Sequence, residues 1–272
     1  MDALAARLAR FHLGECATAP AESSWGEPDA VLHPVAENFR ILFERLNDPA
    51  QQQRLARLQD WSMAEHRRLM PLMRERKNSG KVRECHGDLH LGNLAWVDGQ
   101  LVVFDCIEFS PALRWIDVVS EVAFCFMDLL HHRHRDLAFR FLNAWLEATG
   151  DYAGMALLRY YAVYRAMVRA KVAALHAQQS ANGNTGVGEW LQLAGQLTQA
   201  EPRQLWITHG LSGSGKTTAS QELLQQHGSI RLRSDVERKR LAGLPASASS
   251  GNGINEGLYT QEASRRTYAH LA

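Results

Sequence analysis

Residues 86–94 read His86-Gly87-Asp88-Leu89-His90-Leu91-Gly92-Asn93-Leu94, and the chain continues Ala95-Trp96-Val97-Asp98-Gly99-Gln100-Leu101-Val102-Val103-Phe104-Asp105. Two short apolar runs, 94–97 and 100–103, flank Asp98-Gly99, the pair that most strongly favours a two-residue type I′ hairpin, because both central residues of that turn take positive φ. Such a turn pairs Val97 with Gln100 and Leu94 with Val103, and it sets Asn93 opposite Phe104. Asp105 then becomes the near neighbour of Asn93, while Asp88 stands on the loop just before the hairpin. The stretch therefore predicts two oxygen donors at the open end of one hairpin, with a carboxylate beside them.

That grouping suits phosphoryl transfer, which draws most of its catalysis from positioning and charge neutralisation. It needs a carboxylate near the acceptor hydroxyl and hard oxygen ligands for magnesium. His86, Asp88 and Asn93 also have the H-x-D-x-x-x-x-N spacing of a kinase catalytic loop. Taken singly, such residues are ordinary turn and capping groups. What distinguishes this set is that three polar positions fall in register with a hairpin and a strand-end Asp.

Outward from the hairpin, the apolar period becomes helical on both sides. Upstream, Leu4, Leu8 and Phe11 trace one helical face, Gly14–Pro34 reads as a loop, and Asn38–Leu46 resumes helical spacing. Leu55, Leu58, Trp61, Leu69 and Leu72 mark a longer helix, ended by Pro71 and then Gly80. Downstream, helices are expected at about 117–130, 135–149 and 151–179. A loop at Ser180–Gly188 and a short helix precede Glu201-Pro202-Arg203, where the domain boundary is placed.

A second constellation lies beyond that boundary. Gly210-Leu211-Ser212-Gly213-Ser214-Gly215-Lys216-Thr217 fits G-x-x-x-x-G-K-S/T, with strand-like 205–208 before it and a helical run from Thr218 after it. The glycines let backbone N–H groups turn toward phosphate, the helix N-terminus adds a favourable dipole, Lys216 neutralises charge, and Thr217 can ligate magnesium. Gly210, Ser212, Gly213, Ser214, Gly215, Lys216, Thr217 and Thr218 are the expected nucleotide contacts. Residues 229–235 alternate and predict a second strand ending at Asp235. Asp235 and Arg238 resemble the D-x-x-R segment that serves the acceptor in small-molecule P-loop kinases; an Asp helix cap with a surface Arg is the competing reading. Residues 243–257 read as a loop, and 258–271 as a final helix packing on an unfinished sheet.

His86–Asn93, Val102–Pro111 and Arg114–Phe124 together resemble the C-terminal lobe of the aminoglycoside phosphotransferase family, over roughly residues 1–195. The order of the two modules is similar to that of bacterial bifunctional aminoglycoside phosphotransferase and ATP-binding proteins, and segments 160–175 and 233–244 add to the likeness. The resemblance implies Asp88 as catalytic base, His86 orienting its loop, Asn93 and Asp105 holding magnesium, and Asp117 bracing the loop. It also implies ATP and Mg2+ as cofactors and a small-molecule phosphate acceptor as partner, without fixing an aminoglycoside as that acceptor. The expected fold class is α/β: a mostly helical α+β kinase-like C-lobe at 1–200 and a partial P-loop α/β domain at 201–272. Before residue 85 only Gly14, Gly26 and Gly80 occur, so the glycine-rich N-lobe is expected to be absent, and the P-loop module is expected to be incomplete.

The composition restricts partners. Thirty Lys and Arg against twenty-nine Asp and Glu leave a formal charge of +1, which offers no basic footprint for nucleic acid. Cys16, Cys85, Cys106 and Cys125 show no metal-finger spacing and suggest a reducing, cytoplasmic setting, with Cys85 an inert buried thiol. Glu121 and Asp128 interrupt the most apolar stretch, 118–130, which is too short to span a bilayer. His131, His132 and His134 read as a solvated helix end, and Arg165 with Arg169 as a solvated basic stripe. Two other functions compete with transfer: nucleotide binding at the P-loop alone, with the helical lobe as an interaction platform, or a partial reading frame without activity.

Overall fold

The computed structural model describes residues 1–177, 186–200, 202, 204–211, 213–246, 248 and 257–271. Helix α1 (Asp2–Arg10) buries Leu4 and Leu8 as their spacing predicts, then widens into a π-helical turn, Phe11–Glu15, that carries His12 into the interior. Helix α2 (Pro28–Arg45) starts well inside the segment read as a loop. Pro28 occupies its first turn, where no N–H is needed, and the internal Pro34 deprives only the exposed Ala30 carbonyl of a bond. Helix α3 (Pro49–Asn78) likewise passes through Pro71, whose lost partner is the exposed Arg67, and stops at Ser79 and Gly80. In both cases the residue whose carbonyl loses its helical bond, Ala30 or Arg67, is exposed.

Strand β1 (Val82–Glu84) leads to the loop of interest, which passes through a 3-10 turn at Leu91–Asn93 into β2 (Leu94–Val97) and β3 (Gln100–Val103). Val97 faces Gln100 and Leu94 faces Val103, with Asp98 at φ +50 and Gly99 at φ +74, the register and turn read from the sequence. A short helix α4 (Pro111–Arg114) then turns the chain into β4 (Trp115–Asp117), which pairs antiparallel with β1.

Helices α5 (Val118–His131), α6 (Arg135–Thr149), α7 (Met155–Ala177) and α8 (Val187–Thr198) form the core. Helix α7 packs against α5, α8 and α2, and residues 160–167 are buried all round. That is what a helix surrounded by protein requires, and it overturns the reading of Arg165 as part of a solvated stripe. Arg76 at the end of α3 sits between Asp117 and Asp151 and closes this core with paired buried charge. No helix among the described residues is long and apolar enough to cross a membrane.

The C-terminal segment departs from expectation. No strand follows β4 among the described residues, and Leu205 and Ile207, in the run read as leading into the P-loop, are 86% and 83% exposed. Residues 229–233 run extended across α6, where the Asn143 side chain replaces a neighbouring strand. Its amide donates to Ser229 O at 2.9 Å, and its Oδ1 accepts the Arg231 N–H at 2.6 Å. Helix α9 (Lys216–His227) follows the P-loop, and α10 (Ser234–Leu241) begins where the second strand was expected to end. Helix α11 (Gln261–Leu271) packs on α10 rather than on a sheet. Ser180–Thr185, Glu201, Arg203 and much of the 243–257 loop lie outside the described residues. The α/β class stands: a mostly helical chain carrying two small antiparallel sheets.

Candidate active site

Strand β1 delivers the loop, and its backbone is held on both sides. Gly87 has φ +86, and a Cβ there would lie 2.8 Å from Leu113 O, so glycine is demanded by both conformation and space. His86 Nδ1 accepts the Asp88 N–H at 3.3 Å, which leaves Nε2–H to donate to Phe104 O at 2.8 Å. The ring thus ties the loop to the end of the hairpin, an orienting contact of the kind the resemblance implies.

Asn93 is brought directly against Asp88: its Nδ2 donates to Asp88 O at 3.0 Å and reaches Asp88 Oδ2 at 3.4 Å. With the amide nitrogen engaged there, Oδ1 has no hydrogen-bond partner among the described residues and is open to a cation. His90 accepts the Gly92 N–H through Nδ1 at 3.1 Å, so Nε2 carries the proton and faces Asp88 Oδ2 at 3.5 Å. Partial burial pushes the Asp88 carboxyl up, but the His90 contact, with Arg165 and Arg169 beyond it, holds it below the ordinary value.

The Phe104 N–H donates to Asn93 O at 3.1 Å, extending the ladder one residue past β3 and setting the Asp105 backbone beside Asn93. Asp105 takes φ +62, a left-handed conformation that Asp tolerates. Its carboxylate is exposed and makes no hydrogen bond or ion pair among the described residues. Asp88 and Asn93 are therefore in contact, and Asp105 stands next to them without engaging either. The oxygens of Asn93 and Asp105 left unsatisfied fit a hard cation such as magnesium.

The bracing implied for Asp117 belongs to other residues. Asp117 spends its carboxylate on Arg76, at 2.7 and 2.9 Å, and on the Val119 N–H that starts α5. The loop is clamped instead by Glu121, which accepts the Gly87 N–H at 2.9 Å, and by Asp128, which accepts the Leu91 N–H at 2.8 Å. Arg165 Nη1 donates to Gly87 O at 3.0 Å and Nη2 to Ser120 Oγ at 3.1 Å. Glu121 and Asp128 lie two helical turns apart within an otherwise apolar run. That spacing was the available signal, since a charge kept on one face of a buried helix needs a partner.

His12, Cys85 and Glu121 are buried with their donor atoms within 4.8 Å of one another. They do not make a metal centre in this arrangement. Trp145 Nε1–H donates to His12 Nδ1 at 3.2 Å, so Nε2 holds the ring proton and donates to Glu121 Oε2 at 2.7 Å. Burial and the nearby carboxylate push the Cys85 thiol well up, away from a ligating thiolate. His131 is stacked 3.5 Å from Trp190 rather than solvated.

In the P-loop, Gly210, Gly213 and Gly215 all have positive φ, and Lys216 Nζ folds back to Gly210 O at 2.8 Å and Leu211 O at 2.5 Å. Ser214 lies in the turn, Thr217 and Thr218 in the first turn of α9, and Ser212 outside the described residues. Asp235 neither ends a strand nor caps α10, whose N-cap is Arg233. It accepts the Tyr259 hydroxyl at 2.9 Å and pairs with Lys239 at 2.9 Å, and Arg238 lies over the Tyr259 ring.

Comparison with known proteins gives two matches along the chain. Residues 1–166 match the family described as phosphotransferase enzyme family, and residues 205–272 match an AAA domain. Uncharacterized proteins of Mycobacterium tuberculosis (strains H37Rv and CDC 1551) and Mycobacterium bovis are each 28% identical over 262 residues, 96% of this chain and 52% of theirs. The chain spans about half the length of these curated relatives.

Proposed function

The chain belongs to the phosphotransferase enzyme family, and from that premise we propose that its larger module, residues 1–200, serves ATP- and Mg2+-dependent phosphoryl transfer to a small-molecule acceptor. The observation that carries the reading is the contact between Asn93 and Asp88, fixed by a histidine that spans loop and hairpin. Asp88 takes the proton of the acceptor hydroxyl as its oxygen bonds to the γ-phosphorus; the bond to the β–γ bridging oxygen breaks and ADP leaves. Asn93 Oδ1 and the Asp105 carboxylate would hold magnesium, which neutralises phosphate charge when bound. His86 keeps the Asp88 backbone in place and does no proton chemistry, since both ring nitrogens are engaged by the backbone.

Residues 201–272 form a second, P-loop module, with Gly210 to Thr218 as its phosphate contacts, Thr217 as a magnesium ligand and Asp235 on the acceptor side. Nucleotide binding without transfer is the competing reading. It differs from the first in needing only Lys216 and the loop carbonyls of Gly210 and Leu211 around it, with no part for Asp88.

Thermal-shift titration of the full chain with MgATP separates the two. Transfer at the first site predicts that Asp105→Ala and Lys216→Ala each remove part of the stabilisation. A shift abolished by Lys216→Ala and untouched by Asp105→Ala sinks the transfer reading.

A further inference from the structure

We propose that His12 and Trp145 are positioning residues for Asp88, acting through Glu121 in a hydrogen-bond chain that can run in only one direction. The inference rests on the reading of Asp88 as the base. The chain starts at the Trp145 indole N–H, passes through His12 and ends on the Glu121 carboxylate, whose other oxygen receives the Gly87 N–H. Both terminal groups, an indole and a backbone amide, can only donate. Between them the imidazole has to accept at Nδ1 and donate at Nε2, and residue 121 has to accept at both oxygens. An ionised carboxylate alone satisfies that requirement.

Glu121 is fully buried, and hydrogen bonds from His12 and Gly87 offset the burial that would otherwise raise its carboxyl. The consequence reaches Asp88 through one peptide unit. Gly87 N–H is fixed by Glu121, Gly87 O by Arg165, and the Asp88 N–H by His86. The wide π-helical turn at Phe11–Glu15 is what swings His12 off the end of α1 to meet both Trp145 on α6 and Glu121 on α5. Three elements distant in sequence thus converge on the residue preceding Asp88.

The test uses the full chain, observing the Gly87 backbone amide and the Asn93 side-chain amide by NMR, with the global unfolding midpoint measured in parallel. Glu121→Gln sets a donor against a donor. It is expected to displace both signals and to lower Gly87 exchange protection about tenfold. Adding Trp145→Phe removes the indole donor, so that His12 can adopt its other tautomer and accept from the side-chain amide that Glu121→Gln introduces. The double variant should therefore regain much of the Gly87 and Asn93 signals while its unfolding midpoint falls further, a divergence that a purely structural role does not produce.

Should Glu121→Gln fail to fold, His12→Gln and His12→Ala carry the same test. A glutamine reproduces one acceptor and one donor and keeps both signals; alanine loses them. Gly87 unchanged in Glu121→Gln or His12→Ala, no recovery in the double variant, or a shift of Gly87 with Asn93 unmoved would each overturn the proposal. None of these signals depends on ATP, so a chain that shows the relay but no MgATP response refutes the transferase reading alone.

Discussion

Arg76 meets Asp117 with two parallel hydrogen bonds, 2.7 and 2.9 Å long, and turns its remaining edge to Asp151 at 2.7 Å. The three side chains are buried, and they join the end of α3 to the start of α5 and the approach to α7. Arg76→Ala leaves two carboxylates buried without their partner, so it is expected to cost about 3–5 kcal/mol. Arg76→Lys recovers little, because an ammonium cannot reproduce the planar fork. Urea denaturation measures both; a loss below about 1 kcal/mol for Arg76→Ala would show that the cluster is not a keystone of the lobe.

The same cluster gives stability an acid limb. Burial works to raise the Asp151 carboxyl, but hydrogen bonding and charge from Arg76 hold it below its ordinary value in the folded chain. A folded value depressed below the unfolded one adds stability that is fully present above the unfolded value, about 3.9. That contribution is lost as pH falls through the folded value. Asp151→Asn is expected to be less stable than the parent at neutral pH, with the gap narrowing below about pH 4. A gap constant across that range would contradict the assignment.

Gly87 is the backbone position on which the candidate base depends. Alanine there meets both a positive φ and a carbonyl oxygen 2.8 Å from its Cβ. Gly87→Ala is expected to cost about 1–3 kcal/mol. It should also perturb the Asn93 side-chain amide, because the loop has to shift to relieve the contact. A variant with parental stability and an unmoved Asn93 signal would mean that the loop is softer than its clamps imply.

The hairpin was legible because a two-residue turn fixes register by local chemistry alone, and Asp98-Gly99 specifies that turn. The same turn brings the Asp105 backbone beside Asn93, whereas the contact of Asn93 with Asp88 lies outside the hairpin and its register does not specify it. The clamps are only partly legible: the two-turn spacing of Glu121 and Asp128 in an apolar run marks charges that need partners, but the partners of Glu121, Asp128 and Arg165 lie across long sequence separations. Pro34 and Pro71 misled for a related reason, since whether a proline ends a helix depends on whether solvent reaches the carbonyl it abandons. The strands expected at 205–208 and 229–235 show the limit of local pattern. An apolar alternating segment becomes a strand only when another strand lies beside it, and here the Asn143 amide on α6 is the partner that 229–231 finds.

In the proposed transfer Asp88 removes a proton from a small acceptor while Asn93 and Asp105 hold the metal. Incubating the full chain with γ-labelled ATP, magnesium and pooled hydroxyl-bearing small molecules measures that transfer, with Asp88→Asn as the comparison. Label is expected on one acceptor with the parent, at a rate lowered about 10²–10⁴-fold in Asp88→Asn. Equal labelling by parent and variant would contradict it.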